Sequence, residues 1–274
     1  MPELPEVETI RRQLKKEATG LSIADIWTDV PKMVRPSLKE TLKRVKGQRI
    51  KAVERRGKLL IIRLVGQENL VLHLRLSGQL FLHGAASHKD PFLHVLIKLS
   101  DGRDLHFNDA RKFGYVQLIE NDEDLAKIVA GYGPEPLDDL TEDNFAATLA
   151  KTRRRIKDLL LDQKKISGVG NIYANEALWL AKIHPETISA EIKPNKARDL
   201  FKAVVKVLDD GVRLGGATIA DEKYRDLYGG RGRYDEVARV YQKKGQSCPR
   251  CGTKIEYLKV GQRGTFICPK EQVL

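Results

Sequence analysis

The sequence predicts an α+β chain of more than one domain: an antiparallel β-sandwich first, helices second and a small cysteine-bearing module last. Three observations carry this. Residues 21–120 form a succession of short β-rich runs with no helix-length period between them. After about residue 121 the apolar residues return at steps of three and four. All three cysteines fall in the last 27 residues, which favours a local metal site over a disulfide framework.

Taken in order, the elements support that reading. Val7, Ile10, Leu14 and Ala18 mark one face of a helix over residues 6–18, stopped by Gly20. Pro5, Glu6 and Glu8 suit the first turns of that helix, where proline is tolerated and carboxylates meet the positive end of the dipole. Strand-like runs follow at 58–65, 69–76, 92–99 and 115–119, and Asp101-Gly102 reads as a tight hairpin. Gly131-Tyr132-Gly133-Pro134-Glu135-Pro136 favours neither helix nor strand and is the natural linker. Helices are expected over 141–150, 156–163, 171–181 and 195–214, the last ended by Gly215-Gly216. The polar, glycine-bearing stretch 217–236 suits either a substrate loop or plain disorder. The expected domains are therefore 1–130, 131–240 and 241–274.

A length of 274 residues allows two cores, and 49 Lys and Arg against 37 Asp and Glu give a formal charge of +12. That balance points to a polyanionic partner, with nucleic acid first. No apolar run reaches membrane-spanning length and the N-terminus lacks a signal-peptide pattern, so the expected location is the cytoplasm and no membrane partner is expected.

The first residues are chemically pointed. With Met1 removed, Pro2 is a secondary amine at the N-terminus, and an α-amino group titrates near ~7.7–8.0 against about 10.4 for lysine. An amine beside the carboxyl of Glu3 suits attack on a masked carbonyl such as C1′ of a deoxyribose, because the iminium product is an electron sink. A carboxyl that protonates the sugar oxygen would open the ring. Read on their own, the same residues are simply the start of a helix. Likewise Arg55-Arg56-Gly57-Lys58 is a solvated basic cluster on its own terms, and Leu76 and Phe113 are ordinary core.

Pro2-Glu3-Leu4-Pro5-Glu6-Val7-Glu8-Thr9 resembles the opening of bacterial formamidopyrimidine-DNA glycosylases, enzymes that remove oxidised purines. The related endonuclease VIII branch usually has glycine where this chain has Leu4. The resemblance continues through His73-Leu74-Arg75-Leu76-Ser77-Gly78, Asp109-Ala110-Arg111-Lys112-Phe113-Gly114, Ile166-Ser167-Gly168-Val169-Gly170-Asn171, and Val260-Gly261-Gln262-Arg263-Gly264-Thr265. It implies an N-terminal antiparallel β-sandwich with a flanking helix, a helix, two-turn, helix domain, and a C-terminal zinc-ribbon-like β-hairpin.

Carried over residue by residue, it makes Pro2 the nucleophile and Glu3 the proton donor, with Lys58 and Arg263 on phosphate near the lesion, assisting elimination. A base cannot be attacked inside the stack, so the nucleotide must be everted and its place filled. The resemblance gives that task to Leu76, Arg111 and Phe113; methionine is common where Leu76 stands. It brings His94 to DNA, puts Asn171 on a phosphate, and sets Glu6 and Glu176 in support of the active site. The basic run holding Arg153 and Lys157 directly precedes the helix, two-turn, helix motif and suits backbone contacts.

Cys248, Cys251 and Cys268 have the spacing of a zinc ribbon. The family pattern places a fourth cysteine where this chain has Glu271, so the implied site is one structural Zn²⁺ per chain on three thiolates and a carboxylate. The implied activity is excision of 8-oxoguanine and formamidopyrimidines from double-stranded DNA, then β- and δ-elimination at the abasic site, by a monomer needing no redox or nucleotide cofactor. Two other readings share the scaffold: a glycosylase preferring oxidised pyrimidines, and a non-catalytic protein that binds damaged DNA.

Overall fold

The structure, a computed structural model, describes residues 1–84, 90–219 and 224–274. Its contacts divide the chain into two compact units, Met1–Gly131 with Leu214–Asp235, and Tyr132–Arg213 with Glu236–Leu274. The described part of the stretch after Gly215-Gly216 thus groups largely with the first unit; residues 220–223 of it lie outside the described residues.

The first unit opens with α1 (Leu4–Ala18). Glu3 is its N-cap, and the Glu6 carboxylate accepts the Glu3 N–H at 2.7 Å, closing a capping box built from two acids. Two sheets follow. One holds β1 (Ile23–Thr28), β7 (Leu93–Leu99), β8 (Arg103–Asp109) and β6 (Gly78–Gly84) in that spatial order. The other holds β2 (Val34–Arg35), β9 (Tyr115–Ile119), β5 (Asn69–His73), β4 (Leu59–Leu64) and β3 (Ile50–Arg56). The pairings are antiparallel except for the short β2–β9 contact. Leu60, Ile62 and Leu64 of one sheet and Val95, Ile97 and Leu99 of the other alternate into a single core, which Val7, Ile10, Leu14 and Ala18 of α1 join. Two helices complete the unit, α2 (Leu38–Val45) and α3 (Asp122–Ala130). The run expected to continue to residue 76 ends at His73, because Arg75 takes a positive φ of 54° and turns the chain.

The second unit contains α4 (Glu142–Ala150), α5 (Ile156–Leu160), α6 (Asn171–Ala181) and α7 (Pro194–Arg213), then the hairpin of β10 (Glu256–Val260) and β11 (Arg263–Ile267). Thr141 caps α4 by accepting the Asn144 N–H. The helix expected to reach residue 163 stops at Leu160. Gln163 is the reason: its amide donates to Leu161 and Val169 carbonyls and accepts from Gly168 N–H, folding residues 161–169 into turns before α6. Nearly every residue of α6 is buried, so it is the central helix of this unit. Among the described residues no helix is long and apolar enough to cross a membrane.

Candidate functional site

In the first unit the chain head is enclosed. Pro2 is buried and Glu3 is 2% exposed, at the N-terminal end of α1. Glu6 uses one carboxylate oxygen on the Glu3 N–H and the other on the Ala217 N–H at 2.8 Å, while its own carbonyl receives the Tyr224 hydroxyl at 3.4 Å. Glu6 is therefore the brace that fixes residues 214–219 and Tyr224 against the head of the helix. Lys58 is the second residue of the β3–β4 turn and is 5% exposed, not solvated. Glu8 reaches that turn through Arg55, whose Nε donates to the Glu8 carboxylate at 3.0 Å and whose Nη1 donates to the Gly57 carbonyl at 3.0 Å. Burial works to raise the Glu8 pKa, but hydrogen bonds from Arg11, Arg12 and Arg55 outweigh it and hold the carboxyl down to about 2.

Beyond Lys58, Leu59 pairs with His73 across β4–β5. Burial, with the charges of Arg75 and Lys58 beside it, pushes the His73 imidazole down to about 3. Its Nδ1 accepts the Arg75 N–H at 3.0 Å, as a neutral ring does. This histidine shapes the turn carrying Leu76, a role its position two residues before a positive-φ residue makes intelligible only in three dimensions. Leu76 is half-buried, Arg111 is exposed with its guanidinium 5.0 Å from the Phe113 ring centroid, and Phe113 is 51% exposed. An aromatic ring this open is not ordinary core. His94 lies in β7, as expected. It is 4% exposed with Nδ1 3.0 Å from the Asp29 carboxylate, which fixes the orientation of the ring.

The second unit brings together residues far apart in sequence. Arg263 is exposed at the start of β11, after a two-residue turn in which Gly261 (φ 53°) and Gln262 (φ 63°) are both left-handed. Asn171, the first residue of α6, donates its amide to the Gly264 carbonyl at 3.0 Å, which ties the expected phosphate contact to the Arg263 hairpin. Lys157 requires correction. It is fully buried, and its ammonium donates to the Gly264 carbonyl at 3.0 Å and the Thr265 hydroxyl at 2.7 Å. A cation enclosed in this way holds the hairpin and does not reach a phosphate. Glu176 accepts the backbone N–H groups of Arg239, Val240 and Tyr241, and burial raises its pKa against those bonds. It anchors a loop to α6, a task that explains a buried carboxylate without active-site chemistry. Arg153 is exposed and paired with Glu191 at 2.7 Å, the one member of its predicted basic pair open to solvent.

The thiols of Cys248, Cys251 and Cys268 lie within 4.8 Å of one another. Tetrahedral zinc with Zn–S bonds of about 2.3 Å places its sulfurs about 3.8 Å apart, so the three residues fit one ion. Glu271 does not join them. Its carboxylate is 2.9 Å from the Lys182 ammonium and 3.3 Å from Arg250, and Arg250 is fixed in turn over the Trp179 ring and on the carbonyls of Trp179 and Leu180. The carboxylate is thus paired with two cations and stands outside the thiol cluster, so the fourth ligand expected of Glu271 is not found.

Taken unit by unit, the fold is that of the helix, two-turn, helix DNA glycosylases with a zinc-finger hairpin. Comparison with known proteins agrees over the whole chain. Residues 1–116 match the formamidopyrimidine-DNA glycosylase N-terminal domain, 132–223 its H2TH domain, and 245–270 the zinc finger found in FPG and IleRS. The formamidopyrimidine-DNA glycosylase of Chloroflexus aurantiacus is 44% identical over 275 residues, covering 100% of this chain and 98% of that protein. That of Lactiplantibacillus plantarum is 38% identical, with 100% of both covered. The Lactococcus lactis Fpg in complex with DNA containing an abasic site superposes with a TM-score of 0.93 at 36% identity, covering 99% of this chain and 100% of that one. This chain belongs to the formamidopyrimidine-DNA glycosylase family.

Proposed function

We propose that the protein excises oxidised purines, 8-oxoguanine and formamidopyrimidines, from double-stranded DNA and then cuts the strand at the abasic site. The observation that carries this is the chain head: a carboxylic acid enclosed directly after Pro2, on a helix that the Glu6 brace holds in place. In this mechanism the Pro2 nitrogen attacks C1′ as the base leaves, taking a proton with it. Glu3 protonates the ring oxygen, the sugar opens, and nitrogen and C1′ share an iminium. The iminium acidifies C2′–H; loss of that proton expels the 3′ phosphate, and a second elimination expels the 5′ phosphate. Lys58 and Arg263 bind phosphate and assist these departures. Leu76, Arg111 and Phe113 fill the space the everted nucleotide leaves. Asn171 and Arg153 contact the DNA backbone.

The same reading gives each chain one structural zinc on Cys248, Cys251 and Cys268; when bound, it cross-links the cysteine turn to the end of β11. The test of the mechanism is borohydride trapping on a duplex with one 8-oxoguanine opposite cytosine, followed by peptide mass spectrometry. The expected result is a DNA cross-link on Pro2 in chains that have lost Met1. Tight, lesion-selective binding with no cross-link would overturn it.

A further inference from the structure

Asp109 is completely buried at the last position of β8, where it pairs with Gly78, the first residue of β6. The two turns that carry Leu76 and Arg111-Phe113 therefore spring from one register position: the first runs into β6, the second leaves β8. The Asp109 carboxylate joins them. One oxygen accepts the Ser77 hydroxyl and the Arg111 N–H (3.1 Å); the other accepts the Phe113 N–H at 2.9 Å and the Gly114 N–H at 2.7 Å. The Asp109 carbonyl also accepts the Lys112 N–H at 3.0 Å, within the turn where Lys112 adopts φ 56°. No side chain fits at Gly114, where a Cβ would lie 2.4 Å from the Phe107 ring and 3.2 Å from the Asp109 carboxylate.

This carboxylate is more than a local turn-former. Three of its partners lie within five residues of it, as in an Asx-type turn, but Ser77 is 32 residues away on the other turn. Charge-assisted bonds from a buried carboxylate are strong and directional, so the two turns share one rigid joint. Leu76 stands next to Ser77, and Arg111 and Phe113 hang from N–H groups bound to the same two oxygens.

We propose that Asp109 is a positioning residue for nucleotide eversion: through Ser77 it sets the spacing between the Leu76 wedge and the Arg111-Phe113 pair, so that all three enter the duplex as one body. The proposal rests on the glycosylase reading above. Its mark is a split between two reactions. Excision of 8-oxoguanine from a duplex requires the nucleotide to be everted and the gap filled; cleavage of an abasic site in a single strand requires neither. Ser77→Ala removes only the link between the turns, Ser77→Thr restores a hydroxyl, and Asp109→Asn keeps the volume while replacing an acceptor oxygen by an NH₂ group.

Single-turnover rates on both substrates are the experiment. Ser77→Ala and Asp109→Asn are expected to slow duplex excision by about tenfold or more and to leave single-strand cleavage within about twofold of the unaltered protein, with Ser77→Thr recovering duplex excision. Equal losses on the two substrates, or a Ser77→Ala protein with undiminished duplex excision, would overturn the proposal. If Asp109→Asn fails to fold, Ser77→Ala decides alone. Absence of both reactions in the unaltered protein would instead be the failure of the glycosylase reading.

Discussion

Glu8 looks from the sequence like a helix-dipole residue, yet it bonds three arginines: Arg11 at 2.9 Å, Arg12 at 2.8 Å and Arg55 at 3.0 Å. Through Arg55 it sets the carbonyl of Gly57, the residue before Lys58. Glu8→Gln is expected to cost about 1–3 kcal/mol of stability and, by loosening the Lys58 turn, to slow strand cleavage more than lesion binding; denaturant titration and product gels read the two effects. The folded pKa of Glu8, about 2, lies below its ordinary 4.5, so its contribution is complete above pH 4.5 and is lost as pH falls towards 2. His73 acts in the same direction for a different reason. The folded ring stays neutral to about pH 3 while the unfolded chain takes up a proton below 6.5, so the stability tied to the neutral ring is complete above pH 6.5 and declines below it, by at most about 1.4 kcal/mol per pH unit. Denaturant titrations from pH 7 to 3 are expected to show that decline, with His73→Gln flattening it throughout that range and Glu8→Gln easing only the steeper part at and below about pH 4.5.

The β10–β11 hairpin shows how an element is held by residues whose sequence suggests other work. Lys157 and Asn171 converge on the Gly264 carbonyl, and the Asn175 side chain accepts the Phe266 N–H at 2.7 Å. Lys157→Met would strip two acceptors of a buried ammonium and is expected to cost about 2–3 kcal/mol, with faster amide exchange in β11 as the local readout. Gly261→Ala is expected to act on the same element, since a Cβ there would lie 2.1 Å from the Asp158 carboxylate on a backbone with φ 53°. The periodic elements were legible: α1, β4, β5, β7, β9, α4, α6 and α7 stand close to where apolar spacing predicts them. β8 was harder to see, because Asp104, His106 and Asn108 are buried in it and interrupt the apolar pattern. Of the candidate site, Pro2, Glu3, Lys58 and the three cysteines could be picked out from residue type, neighbours and resemblance. The burial of Lys157 and His94, the capture of Glu271 by Lys182 and Arg250, and the joint at Asp109 depend on partners distant in sequence, which neither composition nor a local motif encodes.

At the scale of the whole molecule, the charge of +12 and the cysteine cluster carry separate expectations. DNA binding should weaken steeply with salt, as phosphate contacts release counterions. Elemental analysis should find one zinc per chain, and a chelator should lower the thermal stability of the second unit. It should leave the Phe266 amide slow to exchange, since the bonds from Lys157, Asn171 and Asn175 involve no metal. That division of labour matters where this family's substrates arise. The conditions that oxidise guanine also oxidise zinc thiolates to sulfenic acids and disulfides, whereas an ammonium and two carboxamides are inert to them. With Lys157, Asn171 and Asn175 bound to the hairpin, oxidation of the thiols is expected to loosen the cysteine turn before it frees β11.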